Sequence, residues 1–477
     1  MDRSAIGLDA GAFYGDLYAK PNGQGDGIMS WSGDRSTTFA SRSEVAVESF
    51  VPSANGYTWN ADRHAFEHVY SRDIQLFVIW AAARRYEEQI TEMIATEFRV
   101  LARFEVRWSQ ERLVNNFERL YATGVGLGSG KEEDVGTGPF LLIVAEDADP
   151  VYQYRRNVSG FFEITSTRAA RVKRAARELA GGYTVHSSNR LEEFFRDATL
   201  MLGPNRLDTV LARPISNDLP ACDVLHDDLV GANGWRDLTE VIEVLRRATE
   251  YLALRGFTEL PGSLSVDPEI DVLTRERLDF AAIVNAKGDP SGSAVRTVID
   301  GSEVIFDVRE VGDGYFDARW QDRMLQRRVV PGDAIAQPRP DDHFFSLLYH
   351  TKIQKTHVKP AHAGTLALLA EQLDLPVDIA AGITEDEVAA AALDGYLTGH
   401  RYIVPQPSDL DVERNATFTQ ALRMTPVEPS VAQVVRTYLW SRLRYSRMGS
   451  RAAESDRLRA VVRRMRGWRA RGRAVHS

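Results

Sequence analysis

The sequence has a single cysteine, Cys222, among its 477 residues. One thiol cannot build a disulfide framework or a zinc site made of several cysteines, so both of these are excluded. No run of about 18 apolar residues is present, which excludes a membrane-spanning helix. The first twenty residues lack a basic segment followed by an apolar stretch, so we expect no signal peptide. Together these absences favour a cytoplasmic protein.

Lysine is absent from residues 430–477, although this segment is strongly basic. Its thirteen arginines, one glutamate and one aspartate give it a net charge of +11, and because the whole chain carries −9, the remainder carries −20. A basic tail on an acidic body predicts an anionic partner for the tail. Apolar residues recur in the tail at helical spacing beside the arginines, a pattern that suits peripheral contact with the inner face of an anionic membrane.

Docking of the tail on the protein's own acidic body is an open alternative. Nucleic acid is disfavoured as a partner, because no aromatic residues alternate with the basic ones.

Changes in composition and periodicity divide the chain into six segments. These are an irregular extension at 1–68, an α/β domain at 70–205, a linker at 206–235, a second α/β domain at 236–330, a helical region at 331–425 and the basic amphipathic tail at 430–477. In the first domain, short apolar runs typical of strands alternate with helical spacing. The sequence therefore predicts an α/β (α+β) protein built in layers.

Three motifs of the first domain occur in the order strand, turn and histidine-bearing strand. They are Leu76-Phe-Val-Ile79, Thr137-Gly-Pro139 before an apolar strand, and Val185-His186-Ser187-Ser188-Asn189 before a helix with Glu192 and Glu193. In these motifs, residues 74–202 resemble nucleoside diphosphate kinase. The resemblance implies a ferredoxin-like fold in which His186 is the catalytic nucleophile that accepts a phosphoryl group. Where the kinases have a Lys-Pro-Asp-Gly turn, this chain has Trp80-Ala-Ala-Ala83, so their phosphate-binding lysine is missing.

The second domain contains three carboxylates in apolar surroundings. Glu269 and Asp271 lie two residues apart on a predicted strand, which places both on one face. Asp307 lies in a second apolar strand, Val304-Ile-Phe-Asp-Val-Arg309. If the two strands are neighbours, the three carboxylates converge. We therefore predict that Glu269, Asp271 and Asp307 hold Mg²⁺ for phosphoryl or nucleotidyl transfer, with Asp307 also acting in catalysis.

This pattern resembles the polymerase-β-like nucleotidyltransferase superfamily, in which a Gly-Ser or Gly-Gly turn precedes an acid-x-acid strand and a third acid follows on a later strand. The resemblance covers about 236–400. It implies that Gly262 and Ser263 contact the nucleotide and that Lys352 and Lys355, on a later helix, are further cofactor contacts. Only five residues separate Ser263 from Glu269, which is too few for the helix that the family usually has there.

The tandem of domains also resembles bacterial proteins associated with surface-polysaccharide synthesis, over segments 138–203 and 341–355. The leading hypothesis is a Mg²⁺-dependent nucleotidyltransferase-type enzyme that acts on a sugar or polyol phosphate. The second is a histidine-dependent phosphotransferase of the nucleoside diphosphate kinase type. The third is a non-catalytic nucleotide-binding or assembly protein, which the missing lysine turn favours and the three carboxylates oppose. Four further residues are candidates for a sugar pocket: Asp313, Tyr315, Asp317 and Trp320.

Overall fold

The computed structural model describes two short strands at 57–60 and 65–68 and most of residues 72–422. Within that range, the segments left undescribed are 122–133, 157–161, 214–215, 217, 258–259, 263–268, 287–292, 333, 356–357, 408, 410–411 and 413. The predicted membrane-binding tail at 430–477 and the predicted nucleotide contact Ser263 lie outside the described residues.

The described residues form a mixed α/β structure, as predicted, with three sheets and thirteen α-helices. The strands are β1 Tyr57–Asn60, β2 Ala65–His68, β3 Asp73–Ile79, β4 Arg99–Val106, β5 Phe140–Asp147, β6 Tyr152–Arg156, β7 Phe162–Ser166, β8 Val185–Ser187, β9 Cys222–Leu225, β10 Tyr251–Arg255, β11 Glu269–Thr274, β12 Ala294–Ile299 and β13 Ser302–Glu310. The α-helices are α1 Glu87–Glu97, α2 Leu113–Leu120, α3 Thr167–Ala180, α4 Leu191–Leu202, α5 Pro204–Leu211, α6 Leu238–Ala248, α7 Arg277–Ile283, α8 Ala318–Gln326, α9 Pro340–Ile353, α10 Pro360–Gln372, α11 Val377–Gly382, α12 Asp386–His400 and α13 Ala416–Ala421.

The first sheet has the strand order β8-β3-β5-β4-β9, and all of its neighbouring pairs except β4–β9 are antiparallel. Every residue of β3 and β5 is buried, because helices cover both faces of the sheet. Helices α1 and α3 pack on the face that contains Phe77 and Ile143. Helices α2 and α4 pack on the opposite face, which contains Leu76 and Leu142. Because helices cover both faces of the sheet, β3 and β5 are continuous apolar runs in the sequence.

Two segments differ from the sequence-based division of the chain. The end of the extension predicted to be irregular forms the hairpin β1–β2, which joins β6 and β7 in a separate four-stranded sheet of order β1-β2-β6-β7. The segment 206–235, predicted to be a linker, contributes α5 and the edge strand β9 to the first domain. Pro204 begins α5, at a helix position where its missing N–H costs nothing.

The second sheet, which belongs to the second domain, has the order β10-β11-β13-β12. Strands β11 and β13 are parallel, and the two outer strands run antiparallel to them. Helix α6 packs against α4 of the first domain, and α7 packs against α2, so one hydrophobic core is continuous between the two sheets. Helices α9–α13 follow, in the region predicted to be helical. Among the helices described, none has the length and apolar character needed to cross a membrane.

Candidate functional site

The predicted carboxylates lie on the two central strands of the second sheet. Asp271 of β11 is the direct cross-strand neighbour of Asp307 of β13, so the two side chains lie on the same face. Glu269 precedes Asp271 by two residues and shares that face. Asp271 and Asp307 are mostly buried, whereas Glu269 is exposed. The structure therefore brings two of the three predicted ligands side by side and places the third at the solvent edge of the same face.

Each buried carboxylate is paired with an arginine that the sequence analysis did not single out. Arg255 Nη2, at the end of β10, donates to Asp271 Oδ1 at 2.5 Å. Arg309 donates through Nη2 to Asp307 Oδ2 and through Nη1 to Asp409 Oδ2, both at 2.8 Å. The spacing Asp307-Val-Arg309 on a strand places acid and base on one face, and this signal is readable from the sequence.

The charges at this site act on each other. Burial raises the pKa of Asp271, Arg255 opposes that shift, and the nearby negative charges of Asp307 and Glu269 reinforce it. Burial disfavours the charged form of Arg309, but Asp307 and its other partners raise the pKa of Arg309 overall. The two arginines therefore stay protonated and compensate a concentrated negative charge.

A buried polar network surrounds the arginines. Tyr315 Oη accepts a hydrogen bond from Arg255 at 3.2 Å and lies 3.0 Å from His350 Nδ1. Gln354 Nε2 donates to the backbone oxygen of Tyr315, and Gln354 Oε1 lies 3.2 Å from His350 Nδ1. The guanidinium of Arg309 stacks 4.4 Å above the Tyr315 ring. Burial, assisted by the charge of Arg255, lowers the pKa of His350 to about 2, so this imidazole is neutral at physiological pH.

Metal ligation by all three predicted carboxylates is not pre-formed. Within the described part of the chain, one group of three His, Cys, Asp or Glu side chains has ligand atoms within 4.8 Å of one another, and it is not the Glu269–Asp271–Asp307 set. Arginines hold Asp271 and Asp307, so an ion at this site requires those pairs to rearrange. Asp307 Oδ1 is nevertheless buried and has no hydrogen-bond partner among the described residues, which leaves it suited to a cation.

The predicted nucleotide contacts have different surroundings. Gly262 is exposed in a turn that precedes β11. Lys352 is buried, and its Nζ donates to Thr384 O at 2.5 Å and to Asp386 Oδ1 at 2.7 Å. In this arrangement the ammonium ties α9 to the start of α12, which is a structural role that the sequence analysis did not assign to it. Lys355, just after α9, is exposed.

The residues considered for a sugar pocket are mostly structural. Trp320 is fully buried, and its Nε1 donates to Asp342 Oδ1 at 3.2 Å. Asp317 caps α8 and accepts a hydrogen bond from Ile403 N. Asp313 is an internal acceptor for the backbone of Tyr315. Tyr315 alone belongs to the network around the carboxylates, so the pattern of acids and aromatics at 313–320 reflects packing more than a sugar site.

A second cluster forms around His186, on the edge strand β8. His186 Nε2 lies 3.1 Å from Asp197 Oδ2 and 3.9 Å from Glu193 Oε1, and these three residues are the group whose ligand atoms lie within 4.8 Å. The Tyr121 ring packs edge-on against the imidazole, with a centroid distance of 5.4 Å. We name these three residues, His186, Glu193 and Asp197, the His186 cluster.

The pKa of one carboxylate of the His186 cluster, that of Asp197, is strongly shifted. Burial raises the pKa of Asp197 to about 7, although Arg196 Nη1 donates to Asp197 Oδ1 at 2.7 Å and lowers it in part. Arg196 also lies 3.3 Å from Asp279 on α7 of the second domain. Asp197 was not predicted. The signal that could have identified it is its position on the helix after His186. Asp197 lies four residues, or about one turn, beyond Glu193 and on the same helical face.

Basic residues near His186 support the strand instead of pointing at a free anion site. Lys173 Nζ donates to Asn189 Oδ1 at 2.7 Å, and Arg177 Nε donates to Val185 O at 2.8 Å. Both side chains therefore brace β8 and the loop that follows it. Neither Lys173 nor Arg177 therefore takes the place of the phosphate-binding lysine that the kinases have where this chain has Trp80-Ala-Ala-Ala83.

Comparisons of the chain with protein-family models, with curated proteins and with solved structures found no match. Functional inference for this protein therefore depends on the chemistry of its own two clusters.

Proposed function

We propose that the chain is a Mg²⁺-dependent nucleotidyltransferase-type enzyme acting on a sugar or polyol phosphate. The observation that carries the proposal is the register that makes Asp271 and Asp307 direct neighbours on parallel strands, with Glu269 on the same face. A pair of adjacent carboxylates, one with a buried oxygen that has no partner in the described part of the chain, is an oxygen donor set that suits Mg²⁺. Bound there, Mg²⁺ would neutralise phosphate oxygens and activate an attacking hydroxyl.

The residues around the carboxylates fit an anionic substrate. Arg255 and Arg309 present guanidinium groups at the same face, and guanidinium binds phosphate through paired hydrogen bonds. With Mg²⁺ on the carboxylates, these arginines would be available to phosphate oxygens. His350 is neutral and holds the Tyr315 hydroxyl, which orients Arg255. Positioning and charge stabilisation are what phosphoryl-type transfer requires of a protein.

Fold-level features support the domain assignments within this proposal. In the first sheet, the order β8-β3-β5-β4 is antiparallel throughout, with the crossover helices α1 and α3 on one face, which supports the proposed ferredoxin-like fold. In the second sheet, the acid-x-acid strand lies beside the strand with the third acid. The sugar or polyol phosphate, and a role in surface-polysaccharide synthesis, rest on the sequence resemblance alone.

Thermal unfolding in the presence of ligands tests the proposal. We expect nucleoside triphosphate with Mg²⁺ to raise the melting temperature, with a stabilisation of about 2.7 kcal/mol at a concentration 100 times the dissociation constant. The nucleotide with EDTA, and Mg²⁺ alone, should give much smaller shifts. Equal shifts with and without Mg²⁺ would contradict a metal-dependent site. Stabilisation without release of pyrophosphate in the presence of sugar and polyol phosphates would favour the non-catalytic nucleotide-binding alternative.

A histidine-dependent phosphotransferase is the second candidate, and the pairing of His186 with Asp197 favours it. A carboxylate that holds one imidazole nitrogen orients the ring and stabilises the positive charge that develops on it. Against this candidate stand the missing phosphate lysine and the structural engagement of Lys173 and Arg177.

Labelling separates the second candidate from the first. If His186 is a nucleophile, incubation with γ-labelled nucleoside triphosphate and Mg²⁺ will leave acid-labile phosphate on the protein, and His186→Ala will remove it. We expect no label on the wild-type chain, because no lysine among the described residues near His186 is free to bind the phosphate while it is transferred. The matched control is His226→Ala, which alters a different and exposed histidine. Label that is lost in His186→Ala and kept in His226→Ala would establish the phosphotransferase instead.

A further inference from the structure

A cavity of about 200 Å³ lies at the first residue of β10, at the opposite end of that strand from Arg255. Its walls come from the end of α6, the start of β10 and the segment 328–336. That segment is fixed to β10 by the hydrogen bond from Ala253 N to Ala336 O, at 2.8 Å. The lining residues are Arg246, Thr249, Tyr251, Arg328, Val330 and Ala336. None of them belongs to the carboxylate site or to the His186 cluster.

The hydroxyl of Tyr251 is the unusual group in this cavity. The residue is 1% exposed, and its Oη is buried without a hydrogen-bond partner among the described residues. Burial raises the pKa of Tyr251, and the peptide group of Ala336 and the charges of Arg246 and Arg328 oppose this shift only in part. The hydroxyl therefore stays protonated at neutral pH and is a donor that lacks an acceptor. Buried polar groups in folded proteins normally have a partner, so the cavity is suited to supply one.

Two arginines line the cavity around this donor. The guanidinium groups of Arg246 and Arg328 both line the cavity, and both act electrostatically on the Tyr251 hydroxyl. Glu250, which Arg275 and Arg328 hold, and the C-terminal end of α6, where the helix dipole is negative, are among the groups that oppose this charge.

We propose that this cavity binds a small oxyanion of the phosphate class. Tyr251 Oη and the two guanidinium groups would donate to its oxygens, Thr249 offers a further hydroxyl, and Val330 and Ala336 form an apolar wall. The cavity is separate from the carboxylate site, so its ligand is an additional anion, either free phosphate or the phosphoryl group of a small metabolite. The proposal does not depend on nucleotidyl transfer.

Thermal unfolding without Mg²⁺ or nucleotide tests this site on the full-length chain. Inorganic phosphate, glycerol phosphate and chloride are compared at matched ionic strength. We expect phosphate to raise the melting temperature in a saturable manner and chloride not to do so. A stronger response to glycerol phosphate would indicate a phosphorylated metabolite, and a stronger response to inorganic phosphate would indicate the free ion. Equal responses to phosphate and chloride would overturn the proposal.

Two variants locate the response. Arg246→Gln, at an exposed position, should raise the dissociation constant for phosphate about tenfold, because a charged hydrogen bond is lost. Tyr251→Phe should raise it about threefold to tenfold while leaving the melting temperature without phosphate no lower than that of the wild type, because the deleted hydroxyl has no partner to lose. The matched control, Arg174→Gln, changes an exposed arginine on α3 and should respond like the wild type. An unchanged phosphate response in both cavity variants would place the anion elsewhere and refute the site.

Discussion

Asp307→Asn will abolish the Mg²⁺-dependent stabilisation by nucleoside triphosphate and lower the rate of pyrophosphate release about a thousandfold, a change of about 4 kcal/mol in the activation free energy. The reason is the position of Asp307 beside Asp271 on parallel strands, with one buried oxygen that has no hydrogen-bond partner among the described residues. An amide keeps the shape of the side chain but removes its negative charge, so a divalent cation loses a ligand of the correct charge. Asp271→Asn should behave in the same way.

The control for this experiment lies on the same strand. Glu303→Gln changes an exposed carboxylate of β13 whose partner is Arg296 at 3.5 Å, and it should leave nucleotide stabilisation and pyrophosphate release unchanged. We expect Asp307→Asn to fold, because Arg309, the partner of Asp307, keeps its contact with Asp409. Circular dichroism and the melting temperature without ligand check this. Full activity in folded Asp307→Asn would refute the carboxylate site and, with it, the proposed nucleotidyltransferase.

Arg119→Met will lower the free energy of unfolding by about 3 kcal/mol. Arg119 is 3% exposed on α2 and donates to three backbone oxygens, those of Val230, Ala282 and Ile283, at 2.7 to 2.9 Å. Methionine fills much of the volume but leaves these buried acceptors unsatisfied. Part of that cost is offset, because burial and the charge of nearby Arg196 lower the pKa of Arg119 to about 9, which shows that the charge itself is disfavoured there.

Urea denaturation measures this effect, with Arg236→Met as the control at an arginine on the surface. The control should unfold at the same urea concentration as the wild type. Because Arg119 joins α2 of the first domain to the end of α7 of the second, a large loss of stability would show that contact between the domains contributes to folding. A denaturation midpoint for Arg119→Met equal to that of the wild type would contradict this role.

Local pattern located several of the regular elements. The apolar runs of β3 and β5, the strands β11 and β13, and the start of helix α4 lie where the sequence analysis placed them, within a few residues. These elements are long or bury a complete face, so their periodicity dominates the composition around them. Strands β6, β7, β9 and β12 were not predicted, because short strands at edges depend on a neighbour and carry weak patterns of their own.

In the carboxylate site too, local spacing predicted some features and long-range pairing decided the others. The spacing of Glu269 and Asp271 fixed their common face, and the apolar strand around Asp307 identified a third acid, because alternation along a strand is a local property. That Asp271 and Asp307 are opposite each other depends on the pairing and register of β11 and β13, which are about 35 residues apart in the chain.

Only the tertiary structure decided which groups surround those acids. Arg255, Tyr315 and His350 come from a strand, a loop and a helix that no local pattern links, and they meet because the sheet and the helical region pack into one core. The same packing places Lys352, a predicted cofactor contact, where its ammonium links α9 to the start of α12. The sequence by itself determined the two central strands of the site, their faces and the charged residues on them. Long-range packing determined the partner of each charge, because a buried charge must be compensated by whatever group the fold brings within reach.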